Sequence, residues 1–230
     1  MDDEQVRELL KGSPLFTHLD ESSLANLFGR SIRRSYRRGE RIFHQGDLGD
    51  STYVVVAGLV KIAVVSSSGE EMVLATLTQG DTFGELAMID GMPRSATAEA
   101  AEPTDVLMIT RSLMMEMLVQ EPTMIESLLK SLGGMIRRLT EQTSDLVFMD
   151  LHARVAKLLV KMAEQHGSKS EQGLTLDLSL TQGDLASMVG GSRQSVNQIL
   201  RSFESRRYIE MERGTIVIKE IDQLRHRADR

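Results

Sequence analysis

The 230-residue sequence contains no cysteine, which removes disulfides, thiolate nucleophiles and any cysteine-held zinc or iron–sulfur centre from consideration. Its five histidines, at 18, 44, 152, 166 and 226, are scattered without metal-ligand spacing, so no metal is expected. No stretch of about 18 apolar residues occurs, which excludes a membrane span. The start "MDDEQVRELL" is acidic and mixed, unlike a signal peptide, and a cytoplasmic location is expected. No motif gathers a nucleophile, a base and an orienting residue, so the chain does not read as an enzyme.

What is present is enough apolar content, 41%, over enough length to build two compact units. Charge divides unevenly between them. Residues 151–230 carry 13 Lys and Arg against 10 Asp and Glu, whereas residues 1–150 carry 14 against 23. An acidic front and a mildly basic back suggest different partners for the two parts.

Residues 1–30 read as helical pieces, "DEQVRELL" and "ESSLANLFG", separated by Gly-Ser-Pro at 12–14. From about 31 to 110 glycines punctuate short runs rich in Val, Ile, Thr and Tyr, such as "STYVVVAGLVKIAVV", "EEMVLATL", "ATAEA" and "DVLMI". That spacing predicts an all-β sandwich or roll. Beyond Arg111 a long helical stretch begins, with Pro122 in its early part. Ile125, Leu128, Leu132, Met135, Leu139, Gln142, Leu146 and Met149 alternate steps of three and four, a heptad seam suited to a parallel homodimer. Leu129 and Ile136 widen the stripe, so part of this helix can also face the roll. Asp150 is an N-cap for a fresh helix, "LHARVAKLLVKMAEQHG", closed by Gly167 and followed by a polar loop, "SKSEQG".

Residues 181–203, "TQGDLASMVGGSRQSVNQILRSF", form a helix-turn-helix pattern. Thr181 and Asp184 make a capping box, Gly190-Gly191 permits a tight turn, and Ser192 caps a second helix. That helix buries Val196, Ile199, Leu200 and Phe203 and exposes Arg193, Gln194 and Gln198 at the end that enters a major groove. Arg193 can pair with guanine, Gln194 or Gln198 with adenine, while Ser192 and Ser195 suit phosphate contacts. Thr181 and Gln182, opening the first helix, complete the expected DNA-binding set. "YIEMERGTIVIKE" supplies a two-stranded wing around Gly214.

Inside the β region, residues 83–98 read "FGELAMIDGMPRSATA". This is either turn chemistry, with Arg94 and Glu85 as a small surface bridge, or a cradle whose Arg94 and Ser95 hold an anion.

The β-roll, "FGELAMIDGMPRSATA", the seam helix, "FMDLHARVAKLLV" and "LTQGDLASMVGGSRQSVNQIL" follow one another in an order that resembles the bacterial cyclic-AMP receptor and fumarate-nitrate regulator family, from about residue 13 to about 220. The resemblance implies an α+β chain: a cyclic-nucleotide-binding β-roll (jelly roll) over 1–110, a dimerisation helix and hinge over 111–149, and a winged helix-turn-helix over 150–230. It assigns Gly84 and Glu85 to the ribose end of the effector, Arg94 and Ser95 to the cyclic phosphate with backbone N–H groups around Gly84 to Leu86 as further donors, and Leu139 and Thr140 to the base. Cyclic AMP is the implied effector, with cyclic GMP, a cyclic dinucleotide or ligand-free regulation open. The implied partners are a palindromic double-stranded DNA operator, a second copy of the chain and RNA polymerase. Three departures stand out. Leu139 replaces a hydroxyl residue. Met135 replaces an arginine that backs the ribose-binding Glu, with Arg137 and Arg138 expected on other faces. Gln194 replaces a Glu that accepts from cytosine, which alters the base preferred there. The fumarate-nitrate branch senses through a cysteine-held cluster, which this chain lacks.

Overall fold

The structure, a computed structural model, describes residues 2–170, 173–177, 180–212 and 214–229, and these fall into two compact units, Met1–Arg138 and Leu139–Arg230.

In the first unit, α1 (Asp3–Gly12) begins at a capping box of Asp2 and Gln5, and α2 (Glu21–Arg30) at an Asp20 cap. The strands β1 (Ile32–Tyr36), β2 (Arg41–Phe43), β3 (Ser51–Ala57), β4 (Val60–Val65), β5 (Glu71–Leu77) and β6 (Thr82–Phe83) precede a short helix, α3 (Glu85–Asp90). Then come β7 (Thr97–Ala100) and β8 (Thr104–Thr110). Two four-stranded antiparallel sheets result, β1-β8-β3-β6 and β2-β7-β4-β5.

Period-two alternation sorts β3 and β8 between two cores. Tyr53, Val55 and Val106 point into the roll with Val60, Phe83 and Ala98. Val54, Val56, Leu107 and Ile109 point the other way, onto a helical layer that includes Leu10, Phe16, Leu27 and Met88. This first sheet is therefore covered on both faces, which is why "STYVVV" is apolar almost throughout.

The helical stretch after the roll is two helices, α4 (Arg111–Gln120) and α5 (Pro122–Phe148). Glu121 leaves helical geometry (φ −122°, ψ 81°), and Pro122 takes the first position of α5, where its missing N–H costs nothing. Gly133 and Gly134 interrupt the interior of α5, each less favourable than Ala by about 1 kcal/mol.

The expected seam residues differ in exposure. Leu128, at 9% exposure, joins the helical core and Leu132 packs against it, while Leu129 (63%) and Ile136 (64%) stand in solvent with Ile125. The open stripe in this unit is thus Ile125, Leu129 and Ile136 with half-buried Leu132 between them, and Leu128 belongs to the roll. Further along α5, in the second unit, Leu139 and Leu146 are exposed.

The second unit continues with α6 (Leu151–His166), β9 (Ser168–Ser170), β10 (Gly173–Asp177), α7 (Gln182–Val189), α8 (Arg193–Ser205), β11 (Ile209–Glu212), β12 (Thr215–Ile218) and α9 (Ile221–Ala228). Strand order is β11-β12-β10-β9. The segment expected as a polar loop, "SKSEQG", instead contributes strand residues, because Leu174 and Leu176 alternate inward and pair with Ile218 and Ile216. Residues 171 and 172 of that segment lie outside the described residues, as does Arg213 of the wing. Asp150 caps α6 by accepting from Ala153 N (2.8 Å), and Arg227 of α9 donates to both its carboxylate oxygens (2.6 and 2.7 Å). The cap bond, then the arginine, hold the Asp150 carboxyl below its usual range. Lys157 of α6 ties back to Glu141 (2.6 Å) and Asp145 (2.8 Å) of α5.

Candidate functional site

The stretch 83–98 is built around two left-handed glycines. Gly84 (φ +81°) turns β6 into α3, and Gly91 (φ +70°) ends that helix. Asp47 and Gly46, in the loop before β3, then clamp the next turn: Arg94 N donates to Asp47 O (2.8 Å) and Gly46 N donates to Arg94 O (2.8 Å). That clamp directs the Arg94 side chain inward.

Arg94 is 4% exposed. Its Nη1 donates to Gly84 O (2.7 Å), and its Nη2 donates to Ser51 O (2.8 Å) and Ser51 Oγ (3.2 Å). Its guanidinium lies 4.2 Å from the Phe43 ring centroid, with Tyr53 further off at 5.7 Å. The Nε is buried with no hydrogen-bond partner. The surface bridge to Glu85 is therefore not formed: Arg94 is an interior cation bonded to neutral oxygens. Burial lowers its pKa from the ordinary value, opposed by the field of Tyr53 and then of Asp50, Asp47 and Glu85.

Glu85, at the first position of α3, is also 4% exposed. Burial pushes its carboxyl above the usual range, partly offset by its own backbone N–H and by the charges of Arg138 and Arg94. Arg138 is exposed on α5. Leu86 is half-buried and Ser95 exposed. The fold thus brings Gly84, Glu85 and Arg94 together in the first unit. Leu139 and Thr140 are exposed residues of α5 in the second unit.

Ser51, Phe43 and Gly49 are members of this cradle that the sequence reading passed over. A Cβ on Gly49 would stand 2.9 Å from Arg94 Cζ and Nε and collide with Ala87. The cluster of glycines at 46 and 49 was the available signal. Gly49→Ala is expected to destabilise the first unit by about 1–3 kcal/mol through overpacking. Thermal unfolding checks this, and an unchanged Tm would contradict the packing described.

The helix-turn-helix forms as its spacing predicts. Asp184 N donates to Thr181 Oγ1 (3.1 Å) and Thr181 N to Asp184 Oδ2 (2.8 Å), opening α7. Gly190 (φ +62°) ends it, and a Cβ on Gly191 would meet Leu151 Cδ1 at 2.7 Å. Ser192 caps α8 by accepting from Ser195 N (3.1 Å), and the two hydroxyls are 2.8 Å apart. Val196, Ile199, Leu200 and Phe203 are buried, whereas Arg193, Gln194 and Gln198 are exposed, as are Thr181 and Gln182. Exposed Arg201, Arg206 and Arg207 extend the basic character of α8 beyond the residues expected.

Among the described residues no cluster of His, Asp and Glu could hold a metal ion, and no helix is long and apolar enough to cross a membrane.

A roll with a buried arginine cradle, followed in the chain by a winged helix-turn-helix, defines a DNA-binding transcription regulator with a cyclic-nucleotide-binding domain. Residues 33–121 match the cyclic nucleotide-binding domain family and residues 153–227 the Crp-like helix-turn-helix domain family. The chain is 31% identical over 221 residues to a CRP-like cAMP-activated global transcriptional regulator of Mycobacterium tuberculosis, covering 96% of this chain and 99% of that one. It is 31% identical over 211 residues to the cyclic AMP receptor protein of Thermus thermophilus, covering 92% and 94%. A CooA structure from Carboxydothermus hydrogenoformans superposes with a TM-score of 0.74 at 25% identity, over 86% of this chain and 88% of the other. The chain belongs to the cyclic-AMP receptor and fumarate-nitrate regulator (CRP/FNR) family.

Proposed function

We propose that this chain works as a homodimer that reads a palindromic operator and is switched by a cyclic nucleotide, cyclic AMP foremost. The observation that carries the sensor part is Arg94, a buried cation with an unpartnered Nε beside a buried carboxylate on one glycine-hinged loop. A buried guanidinium that bonds only neutral oxygens gains most from an anion, and its planar fork matches a phosphodiester in a way an ammonium does not. The residues fit the group: Arg94 with Ser95 would hold the cyclic phosphate, backbone N–H groups near Gly84 and Leu86 would add donors, and Glu85 would accept from a ribose hydroxyl. Leu139 and Thr140 would face the base. The two relatives named for cyclic AMP support that effector over cyclic GMP or a cyclic dinucleotide.

In this reading the nucleotide binds one arrangement of the hinge around 148–150 more tightly than others, and so sets the spacing of two recognition helices by a population shift. The exposed stripe of α5 supplies the dimer contact. In the same reading residues 111–149 serve as dimerisation helix and hinge and residues 150–230 as the DNA-binding segment, with RNA polymerase as the protein partner in the cytoplasm.

DNA reading rests on Arg193, exposed at the start of α8. Arg193→Ala is expected to weaken operator binding by about 1–3 kcal/mol, roughly 5- to 150-fold, and to relax preference at one base pair in each half-site. Gel-shift titration against single-base operator variants reads both effects. Unchanged affinity with an unchanged salt dependence would sink this assignment.

A further inference from the structure

The second unit carries a cationic cleft at the end of α8 opposite to Arg193. α8 closes in a Schellman turn, in which Tyr208 N donates to Phe203 O (2.9 Å) and Arg207 N donates to Glu204 O (2.8 Å). Arg207 takes the left-handed position (φ +62°), where glycine is usual, and is the one non-glycine residue there among the described residues. This reversal lays the Tyr208 ring against Phe203, with centroids 6.3 Å apart. Tyr208 O then accepts from Lys219 N (2.9 Å) and Glu220 N (3.2 Å), which ties the start of α9 to the same turn. α9 packs on α6, with Leu224 fully buried and Arg225 bonded to Glu164 (2.8 Å).

A cleft of about 120 Å³ is left among α6, α8 and α9. Phe203 and Tyr208 form its aromatic wall, and Ser202 and Gln223 add neutral donors. His152 of α6, Arg206 of α8, and His226 and Arg227 of α9 bring imidazole and guanidinium groups to it. No Asp or Glu is among the described residues that line it. Other cations of α6 and α9 are answered by carboxylates: Lys157 by Glu141 and Asp145, Arg225 by Glu164 and Asp222. Arg206 makes no ion pair and no side-chain hydrogen bond among the described residues. Arg227 meets the Asp150 cap through Nη2 alone, which leaves its Nε and Nη1 unbonded among those residues.

We propose that this cleft is a binding site for a small phosphorylated ligand, separate from the Arg94 cradle of the first unit. Guanidiniums gathered in one concave place repel each other, and an anion between them removes that cost. Donors that reach one cleft from three helices favour a tetrahedral phosphoryl group over a planar carboxylate, because its oxygens point in separate directions and a guanidinium fork takes two of them. The cleft is smaller than sites for drug-sized ligands, so the occupant is small. An operator backbone phosphate is the other source of the same chemistry. The 13 residues of α8 span about 20 Å, which puts Arg206 far from the base-reading end and favours a free ligand. Since Arg227 also bonds Asp150, a bound anion competes with the cap of α6.

The test is calorimetric titration of the full-length protein with inorganic phosphate, at fixed ionic strength and with chloride as the matched anion. The native chain is expected to bind phosphate saturably, with a dissociation constant of about 1 mM or below. Arg206→Gln, at an exposed position, should fold normally and bind at least about 10-fold more weakly. Arg206→Lys keeps the charge without the fork and should lose about 3- to 10-fold. Arg225→Gln removes the same charge from α9 outside the cleft and should stay within about 2-fold of native. Saturable binding that Arg206→Gln leaves unchanged would put the phosphate elsewhere and overturn the assignment. No saturable binding by the native chain would overturn it too. If Arg206→Gln then weakened gel-shift binding to every operator sequence alike and lowered the salt slope by about one, the cleft would be a DNA backbone contact instead.

Discussion

Replacing Arg94 by alanine is expected to cost at least 100-fold in cyclic nucleotide affinity. The physical basis is the two charge-assisted bonds a guanidinium fork makes to a phosphodiester, each about 1.5–3 kcal/mol. The loss of even one such bond at the upper end of that range corresponds to about 100-fold. The same substitution removes the bonds to Gly84 O and Ser51 O and the stacking over Phe43, so Tm should fall as well. Arg94→Lys separates the two effects, because it keeps the charge and much of the volume while losing the planar fork. It should remain folded and still bind at least 10-fold more weakly. Calorimetry with cyclic AMP on both variants, each first shown to be folded by circular dichroism, reads the result. A folded Arg94 variant with native affinity would remove the cradle from the account.

The other large effect is expected at Ile136. This side chain is 64% exposed within its unit, so Ile136→Glu should leave Tm within the range of a surface change, about 0.5 kcal/mol. At the centre of a paired-helix seam the same substitution places two carboxylates in an apolar contact, and each carries a penalty of several kcal/mol. Dimer affinity should drop more than 100-fold, and operator affinity should collapse with it, because two half-sites are then bound by separate molecules. Sedimentation velocity reports the first effect and gel shift the second. Leu128→Ala gives the contrast: Leu128 belongs to the core of the first unit, so its loss should cost about 2–5 kcal/mol of stability while the seam keeps its apolar face. A variant at Ile136 that stays dimeric would mean the seam lies elsewhere on α5.

That pair also marks where the sequence was readable and where it was not. A repeat of three and four fits positions 128 and 135 as well as 129 and 136, since all four are apolar. Only the neighbouring roll, which claims Leu128, decides which set faces outward, and that information is not local. The helix-turn-helix was legible to the residue because every determinant is local: caps at Thr181 and Ser192, the left-handed Gly190 and the spacing of Val196, Ile199, Leu200 and Phe203. The 83–98 loop was legible as chemistry but not as geometry. Its Glu and Arg could be named, yet the burial of Arg94 depends on Ser51, Phe43 and Gly49, more than thirty residues away from it in the chain. The strand residues within "SKSEQG" and the final helix were hidden for a related reason. Polar side chains dominate both, and their order comes from the pairing of β9 with β10 and from packing against α6.

The most direct test of the central claim is operator affinity of the purified full-length protein with and without a saturating cyclic nucleotide. Fluorescence anisotropy with a labelled palindromic operator selected on this protein, titrated at fixed salt, measures it, since salt alone shifts such affinities strongly. Cyclic AMP is expected to change operator affinity by at least 5-fold, the lower end of ordinary allosteric coupling, and Arg94→Lys to raise at least 10-fold the cyclic AMP concentration at which the change is half complete. An operator affinity identical with and without cyclic AMP, cyclic GMP and cyclic dinucleotides would contradict it.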